Sequence, residues 1–357
     1  MRNKNLYFAL GRPFSPLYSM LMRARENLYR LGVFKQARLP AVVISVGNLT
    51  MGGTGKTPVV QYLARFLEKE GLRPAVVSRG YGGSTKEPVN IVSDGEQVLL
   101  DAAFVGDEPR FLAETLEGVP VLTGVVRKLP AARAVEMGAD VLLLDDGFQH
   151  LGVARDIDLV LFNADTLAGN SRVFPGGDLR EPVRALFRCH AFLLTGVNDG
   201  NRERAGRFAD LLRQRFSGRP VFFSTYRPSG LVWRAGDGNR TQESLDRLAG
   251  RKCFAFCGIA RPEGFRDMLL SMGLDLTGFM GLPDHHRYTG ADIDRLRREA
   301  LQKGSELLVT TEKDLVKMEG VDPGLDLAAV RMETSPEESF DAFIRGAVAR
   351  VRAGERV

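Results

Sequence analysis

Cysteine and histidine are scarce in this sequence, which contains three cysteines and four histidines among 357 residues. Three cysteines are too few for a disulfide framework, and Cys253 and Cys257 lie in an apolar run typical of a protein core, so a reducing cytoplasm is expected. The adjacent histidines His285 and His286 have no cysteine nearby, and adjacent histidines rarely converge on one metal ion. A zinc site is therefore disfavoured, whereas proton transfer by a loop histidine remains open.

Long apolar runs are also missing, and acidic residues are nearly missing from the first 38 positions. No run approaches the ~18 apolar residues of a membrane-spanning helix, and no small-residue cleavage site follows, so neither a transmembrane helix nor a secretory leader is expected. Residues 1–38 carry eight Lys and Arg against one acid, Glu26, with Leu, Phe and Tyr interleaved. Such a segment can lie in a membrane interface and favour anionic lipid; the alternative is a helix packed on its own domain.

A glycine-rich turn stands between a strand-like apolar run and a segment with helical periodicity. Residues 47–58 have the sequence GNLTMGGTGKTP, after the run 41–46 and before the segment 58–70. In this context glycines let backbone N–H groups converge on phosphate oxygens, a lysine reaches the terminal phosphates and a hydroxyl binds Mg²⁺. Position 50 is Thr where the usual spacing has Gly, so the pattern predicts an atypical phosphate-binding loop, with a chance glycine-rich turn as the alternative. The predicted nucleotide-binding residues are Gly52, Gly53, Thr54, Gly55, Lys56 and Thr57, and Thr57 is also a predicted Mg²⁺ ligand.

Two consecutive carboxylates follow a buried, strand-like run at residues 141–144. Carboxylates at the carboxyl end of a parallel strand can reach a metal ion at the mouth of a phosphate-binding loop, so Asp145 and Asp146 are predicted Mg²⁺ ligands. The alternative is a surface turn after the strand. Gln149 is a candidate for orienting substrate or water, although an ordinary loop amide is equally compatible with the pattern.

Further charged residues stand in loops between the predicted elements. Asp107 lies at a predicted helix start, where it can cap the helix or act on a substrate, and the sequence leaves both roles open. Arg79, Arg127 and Arg180 lie close to glycines or prolines, and guanidinium groups bind phosphate through paired hydrogen bonds. Each alone is more often solvated or ion-paired, but together they suggest a second anionic ligand.

Short apolar runs alternate with amphipathic segments, which predicts an α/β fold with a parallel sheet. The chain is long enough for two domains, and beyond residue 38 its charge is nearly balanced, so nucleic-acid binding is not expected. The predicted division has four parts. These are a basic amphipathic, membrane-associating segment (1–38), a P-loop NTPase-like parallel-sheet domain (39–162) that the terminal helix (336–357) can rejoin, a linker or binding loop rich in Gly and Pro (163–184), and a second, smaller α/β domain (185–335).

In their order along the chain, these motifs resemble one family, the tetraacyldisaccharide 4′-kinases, which are the lipid A kinases of Gram-negative bacteria. The resemblance extends over nearly the whole chain, and the atypical loop spacing is similar to that of the family. It rests on the basic N-terminal segment and on residues 47–57, 78–82, 105–109, 145–150, 174–182, 284–286 and 311–314. It implies a peripheral enzyme on the cytoplasmic face of the bacterial inner membrane. Such an enzyme transfers the γ-phosphate of ATP, with Mg²⁺, to the 4′-hydroxyl of a tetraacylated diglucosamine 1-phosphate.

The resemblance also implies roles for individual residues. Asp107 would be the catalytic base, assisted by His285. The other implied roles are ATP-phosphate and Mg²⁺ binding by Lys56 and Thr57, metal binding by Asp145 and Asp146, and lipid binding by Arg79, Arg127 and Arg180, with Gln149 as a further substrate-binding candidate. The glycolipid and the inner-membrane surface are the expected partners, and no obligate protein partner is evident.

Two other functions are compatible with parts of the pattern. A regulatory GTPase needs an Asn-Lys-x-Asp-like guanine reader, and the sequence TEKD at residues 311–314 comes close, although its lysine stands one residue late. A non-enzymatic membrane-binding module that uses ATP as a structural ligand leaves Asp107 and the loop at 284–286 without a role.

Overall fold

A computed structural model describes residues 2–235, 239–259, 262–284, 286–318 and 323–355 of the chain. The backbone divides into two compact units: the larger runs to Tyr226 and resumes at Thr334, and the smaller comprises Arg227–Glu333. Both units combine strands with helices, which confirms the predicted α/β class with a second, smaller part. One predicted residue, His285, lies outside the described residues.

The larger unit alternates strands and helices as far as the point where the chain leaves it. Its helices are α1 (Arg2–Gly11), α2 (Ser15–Arg30), α3 (Lys56–Lys69), α4 (Ala102–Val105), α5 (Asp107–Thr115), α6 (Lys128–Glu136) and α7 (Arg202–Arg215). Its strands are β1 (Val42–Asn48), β2 (Pro74–Ser78), β3 (Asn90–Ser93), β4 (Val121–Thr123), β5 (Val141–Asp145), β6 (Ile157–Asn163), β7 (Ala191–Thr195) and β8 (Val221–Arg234), the last of which continues into the smaller unit.

The smaller unit has its own strands and helices. They are β9 (Arg240–Glu243), β10 (Lys252–Cys257), α8 (Pro262–Ser271), β11 (Asp275–Gly281), α9 (Gly290–Gln302), β12 (Leu307–Thr311), α10 (Glu312–Val316) and β13 (Leu327–Pro336). Strand β10 pairs in parallel with β11 and β12, and β12 pairs in parallel with β13. The chain then re-enters the larger unit and continues as α11 (Glu338–Arg352).

Strands of the larger unit lie in the order β8-β7-β6-β1-β5-β2-β4-β3, and among these only the β3–β4 pair is antiparallel in the described residues. Every residue of β1, β5 and β6 is buried, as expected for parallel strands covered on both faces. Helices α3 and α11 cover one face, with Leu63 and Phe340 in one apolar cluster, and α6 covers the other. The loop after β1 therefore opens at the carboxyl edge of the sheet, between β5 and β6.

The structure divides the chain differently from the sequence-based division at 162 and 185. Strand β7 pairs in parallel with β6, and Phe192 of β7 pairs with Val221 of β8, so the sheet of the larger unit continues to Tyr226. Residues 163–184 consequently form a loop within this unit, between two of its neighbouring strands. The smaller unit begins about forty residues later than the predicted domain, because the pattern of apolar runs does not reveal which sheet a strand joins.

The N-terminal segment packs on its own unit along one side and leaves large apolar side chains exposed on others. One side of α2 packs on the unit: Ser15 Oγ donates to Val173 O at 2.8 Å, and the Tyr18 hydroxyl donates to Arg180 O at 3.0 Å. Other large apolar side chains of the segment are 53–70% exposed, namely Leu6, Tyr7, Leu10, Phe14, Leu17, Met20 and Leu21. Among the residues that the structure describes, no helix combines the length and the apolar character needed to span a bilayer.

The motif at residues 311–314 begins helix α10 and joins it, through Asp314, to the backbone at Gly258. Thr311 caps α10 by accepting from the Asp314 backbone N–H at 3.1 Å. The fully buried Asp314 carboxylate accepts from the Gly258 backbone N–H at 3.0 Å and pairs with Lys317 Nζ, also at 3.0 Å. These contacts occupy the aspartate that a guanine reader would present to its ligand.

Candidate active site

The glycine-rich loop leaves β1 at Asn48 and enters α3 at Lys56. Gly55, the N-cap of α3, has φ +76°, a left-handed conformation that favours glycine, and a Cβ there would lie only 1.7 Å from the Tyr226 hydroxyl oxygen. The backbone at this position therefore packs directly on β8. Such a strand–loop–helix junction presents free N–H groups and the positive end of the α3 dipole to an anion.

Side-chain amides and a hydroxyl hold the loop from inside. Asn48 Nδ2 donates to Thr50 O at 2.8 Å, and Asn48 Oδ1 lies 3.4 Å from Lys56 Nζ. Gln149 Nε2 donates to the Asn48 carbonyl oxygen at 2.8 Å, and Thr195 Oγ1 donates to the Thr54 carbonyl oxygen at 2.8 Å. The turn after β5 and the end of β7 thus hold the two ends of the loop.

Residues 163–184 lie along the same glycine-rich loop. The Met51 backbone N–H donates to Asp178 O at 2.7 Å, and the Arg180 backbone N–H donates to Leu49 O at 2.8 Å. Thr50 and Leu179 form an antiparallel bridge between these contacts. The segment is therefore a loop within the larger unit and not a linker between the two units, and it brings Arg180 to the glycine-rich loop.

Asp145 ends β5 as a buried carboxylate with one unpaired oxygen. Ser78 Oγ donates to Asp145 Oδ2 at 3.1 Å, while Oδ1 has no hydrogen-bond partner among the described residues. Burial and the charge of Glu108 raise the pKa of Asp145 to about 6, against the opposing effect of Lys56. A buried carboxylate oxygen without a donor is chemically suited to bind a cation.

Asp146 differs from its neighbour because cations surround it. Its carboxylate oxygens lie 2.9 and 2.8 Å from Arg180 Nη1, and Oδ1 lies 3.5 Å from Lys56 Nζ. Burial alone would raise the pKa of Asp146, but Lys56 and Arg180 hold it below its usual value. The backbone of Asp146 has φ +51°, so the chain turns sharply here and presents the carboxylate to the loop.

A cavity of about 560 Å³ opens beside this carboxylate. It brings together four residues predicted to bind substrate, Arg79, Arg127, Gln149 and Arg180, with Asp146 and several apolar side chains. The other lining residues are Tyr18, Met22, Arg25, Met51, Val125, His150 and Phe174. A cavity with guanidinium groups and apolar walls suits an anion attached to a lipid.

The three predicted arginines differ in their surroundings. Arg127 is buried, and its Nη2 donates to the Asp145 carbonyl oxygen at 2.9 Å, so it also supports the end of β5. Arg180 is paired with Asp146, as described above, whereas Arg79 is exposed at the end of β2. Binding of an anion would therefore compete with an existing ion pair at Arg180, and would meet a solvated side chain at Arg79.

Asp107 is the first helical residue of α5, half-buried, and the N-cap is Gly106. Asp107 therefore does not fill the cap position itself, although a carboxylate in the first turn still favours the helix dipole. A Cβ on Gly106 would lie 2.3 Å from the Tyr81 carbonyl oxygen, so this helix start packs on the turn after Arg79. The neighbouring Glu108 acts on the pKa of Asp145, which relates the start of α5 to the end of β5.

The described residues do not form a preformed metal cage. No group of three or more His, Cys, Asp and Glu side chains suited to a metal ion occurs in the described parts of the chain. Mg²⁺ is usually bound by one or two carboxylates together with substrate phosphates, so this finding leaves the predicted ligands Asp145, Asp146 and Thr57 compatible with Mg²⁺. Thr57 is half-buried in the first turn of α3.

Several residues of the glycine-rich loop and of the cavity were not predicted from the sequence. Asn48 is the last residue of β1, where a polar side chain directly before a glycine-rich loop could have been recognised as its anchor. Tyr18 and Arg25 lie seven residues apart, hence on one face of α2, a signal of a helix turned toward a polar site. His150 belongs to the motif at 145–150; burial and neighbouring arginines, Arg127 foremost, lower its pKa to about 4.

The chain is similar to proteins of one family over nearly its full length. A family model described as tetraacyldisaccharide-1-P 4′-kinase matches residues 7–349. The tetraacyldisaccharide 4′-kinase of Desulfotalea psychrophila is 48% identical over 345 residues, which cover 96% of this chain and 97% of the relative. That of Syntrophus aciditrophicus is 42% identical over 357 residues, covering 96% and 94%. Among solved structures, LpxK from Aquifex aeolicus in complex with ATP has a TM-score of 0.74 and 30% sequence identity, covering 94% of this chain and 98% of that one.

Proposed function

Since the chain belongs to the tetraacyldisaccharide-1-P 4′-kinase family, we propose that the site at the carboxyl edge of its larger sheet carries out the reaction of that family. The enzyme is an ATP-dependent phosphotransferase that phosphorylates the 4′-hydroxyl of a tetraacylated disaccharide 1-phosphate, a step of lipid A biosynthesis. One observation carries the assignment of the site: Lys56 Nζ lies between Asn48 Oδ1 and Asp146 Oδ1, at 3.4 and 3.5 Å, at the mouth of the glycine-rich loop.

ATP binds with its phosphates on the loop Gly52–Gly55 and at the N-terminus of α3. Backbone N–H groups donate to the phosphate oxygens, and the helix dipole favours their charge. Lys56 exchanges its contact with Asp146 for the terminal phosphates and stabilises the charge that develops during transfer.

The Mg²⁺ that accompanies ATP would be held by Thr57, Asp145 and Asp146. The unpaired Oδ1 of the buried Asp145 supports this assignment, since a cation would satisfy it. When bound, the ion would supply positive charge that stabilises the transferring phosphate group. Asp146 would then have to share its carboxylate between the ion and Arg180.

Asp107 acts as the base on the acceptor, assisted by His285. In an in-line transfer the 4′-oxygen forms its bond to the γ-phosphorus while the bond from phosphorus to the β,γ-bridging oxygen breaks. The hydroxyl proton passes to the Asp107 carboxylate, and ADP leaves with the bridging oxygen. The support for Asp107 is the family pattern and its half-buried position at the start of α5.

The lipid enters through the cavity beside Asp146. Arg79, Arg127 and Arg180 bind its phosphate, Gln149 contributes a polar contact, and Tyr18, Met22 and Phe174 offer apolar surface. The exposed apolar side chains of the N-terminal helices dock the enzyme peripherally on the cytoplasmic face of the inner membrane, where such a lipid is available. The basic residues of the same segment add attraction to anionic lipid.

The reaction is tested by incubating the protein with ATP, Mg²⁺ and a tetraacyldisaccharide 1-phosphate and analysing the lipid by mass spectrometry. The proposal expects a gain of one phosphate, and phosphorus NMR is expected to assign it to the 4′-position. ATP hydrolysis without any phosphorylated lipid, or phosphate at another hydroxyl, would contradict the proposal.

A further inference from the structure

Arg188 contacts three separate segments of the larger unit from the end of a short 3₁₀ helix (Val183–Arg188). Its Nη1 donates to Glu26 Oε1 of α2 at 3.1 Å, and its Nη2 donates to Glu181 Oε2 at 2.5 Å. Nη2 also lies 3.4 Å from the Phe148 carbonyl oxygen, and the guanidinium carbon lies 4.6 Å from the centroid of the Phe148 ring. One side chain thus joins α2, the loop 163–184 and the turn after β5.

Two of these contacts adjoin the residues proposed for chemistry. Glu181 directly follows Arg180, and Phe148 lies between Asp146 and Gln149 in the sequence. Arg188 therefore contacts both backbone segments that carry the Asp146–Arg180 ion pair, through Phe148 on one and Glu181 on the other. The turn is also tight against β1, because a Cβ at Gly47 would lie 2.5 Å from the Phe148 Cβ. A displacement of Phe148 would consequently disturb the strand that leads into the phosphate-binding loop.

The contacts of Arg188 are well shielded from solvent. The side chains of Glu181 and Arg188 are 3% and 16% exposed, and the Phe148 ring is fully buried. Burial alone would lower the pKa of the Arg188 guanidinium, but Glu181 and Glu26 raise it. A planar guanidinium can donate to two acids and a carbonyl while stacking on a ring, which a lysine ammonium cannot do.

We propose that Arg188 is a positioning residue for phosphoryl transfer, which sets the relative placement of Asp146 and Arg180 by holding Phe148 and Glu181 together. Because Arg188 also pairs with Glu26, the relative placement of Asp146 and Arg180 depends on the position of α2, the helix that carries exposed apolar residues. The inference rests on the proposed roles of Asp146 and Arg180. It extends them by naming the side chain that links the N-terminal helix to the reacting groups.

The test compares Arg188→Met, Arg188→Lys and the matched control Arg184→Met, an exposed arginine of the same 3₁₀ helix. Arg188→Met is expected to lower kcat by roughly tenfold or more, because an error of about 1 Å in placement can cost up to a hundredfold. The dissociation constant for ATP is expected to change less than about threefold, since the phosphate-binding loop keeps its own anchors. Arg188→Lys is expected to recover part of kcat, and Arg184→Met is expected to behave as wild type.

The link to α2 is tested with Glu26→Gln, which keeps the size of a side chain that is 23% exposed and is expected to fold. It is expected to lower kcat about threefold, with no further loss when it is combined with Arg188→Met, as for residues that act as one unit. Multiplicative losses, or a normal kcat in Glu26→Gln, would overturn the link. A normal kcat per folded molecule in Arg188→Met, with only a lower melting temperature, would overturn the positioning role.

Hydrogen exchange separates this inference from the proposed function. Faster exchange at residues 146–150 is expected in Arg188→Met and not in Arg184→Met. This result does not depend on turnover, so it stands even if the wild type phosphorylates a different lipid. If Arg188→Met fails to fold, the same measurement on Arg188→Lys and Glu26→Gln decides, and wild-type exchange at 146–150 in both would overturn the inference.

Discussion

Arg180 Nη1 lies 2.8 and 2.9 Å from the two carboxylate oxygens of Asp146, so residues expected to serve different ligands form one ion pair. The sequence predicts that Asp146 binds a metal ion and that Arg180 binds a lipid phosphate. Their pairing means that the two ligands would meet at one point, with Lys56 3.5 Å from the same carboxylate.

Replacement of Arg180 by Lys keeps the charge and loses the planar fork. A lost charge-assisted bidentate contact costs on the order of 1.5–3 kcal/mol, hence roughly tenfold or more in kcat/KM for the lipid, while the KM for ATP changes little. Steady-state kinetics with the natural acceptor and with an analogue lacking the 1-phosphate provide the measurement. Equal losses for both acceptors would assign Arg180 to support of Asp146 instead of recognition of the lipid phosphate.

Asp107 and His285 are expected to act together in proton transfer. Asp107→Asn and His285→Ala should each lower kcat more than they raise the KM for ATP, and the double variant should resemble the worse single one. His286→Ala is the matched control, because His286 is paired with Asp292 at 3.2 Å and has no proposed role in the reaction. An unchanged kcat in Asp107→Asn would reduce Asp107 to a residue that stabilises the start of α5.

The structure explains which parts of this site the sequence could predict. Strands β1 and β5 are continuous buried runs, and the loop between β1 and α3 has its own glycine pattern, so both were accessible from local sequence. The Asp146–Arg180 pair joins residues 34 positions apart through a loop without regular structure, which no periodicity encodes. The predicted start of the second domain was wrong for a related reason. The sequence patterns of β7 and of the first half of β8 are those of ordinary strands, and only their pairing shows that they extend the sheet of the larger unit.

The half-buried His150 gives a testable pH dependence. Its pKa lies at about 4 in the folded chain, below the ordinary value of about 6.5, so the unfolded chain binds this proton first as the pH falls. The contribution of neutral His150 to the free energy of unfolding is therefore fully present above pH ~6.5 and is lost as the pH falls from ~6.5 to ~4. When the pH is lowered from 7.5 to 4.5, the free energy of unfolding of the wild type should therefore fall by about 1–2 kcal/mol more than that of His150→Gln, after allowance for partial solvent access. Urea unfolding at both pH values measures this, and parallel pH curves would contradict it.

The N-terminal helices are expected to dock on lipid through their exposed apolar side chains. Leu17→Ser with Leu21→Ser removes two leucines that are 53% and 54% exposed, and should weaken liposome flotation at every salt concentration. High salt should weaken binding of the wild type to anionic vesicles only in part, since it screens charge and leaves apolar contact. Leu270→Ser with Leu301→Ser, equally exposed leucines of the smaller unit, is the control. Equal flotation of wild type and both variants would remove the docking surface from these helices.

The atypical glycine-rich loop, with Lys56, is proposed as the catalytic nucleotide site. Its most direct test is the turnover of Lys56→Ala with ATP and the tetraacyldisaccharide 1-phosphate, beside Lys69→Ala, an exposed lysine in the last turn of the same helix. Lys56→Ala is expected to fold, to melt near the wild-type temperature and to lose ~10²-fold or more in kcat, the scale of one lost electrostatic contact to the transition state. Lys69→Ala is expected to turn over like the wild type. Near-wild-type turnover by folded Lys56→Ala would rule out Lys56 as the catalytic lysine of this loop.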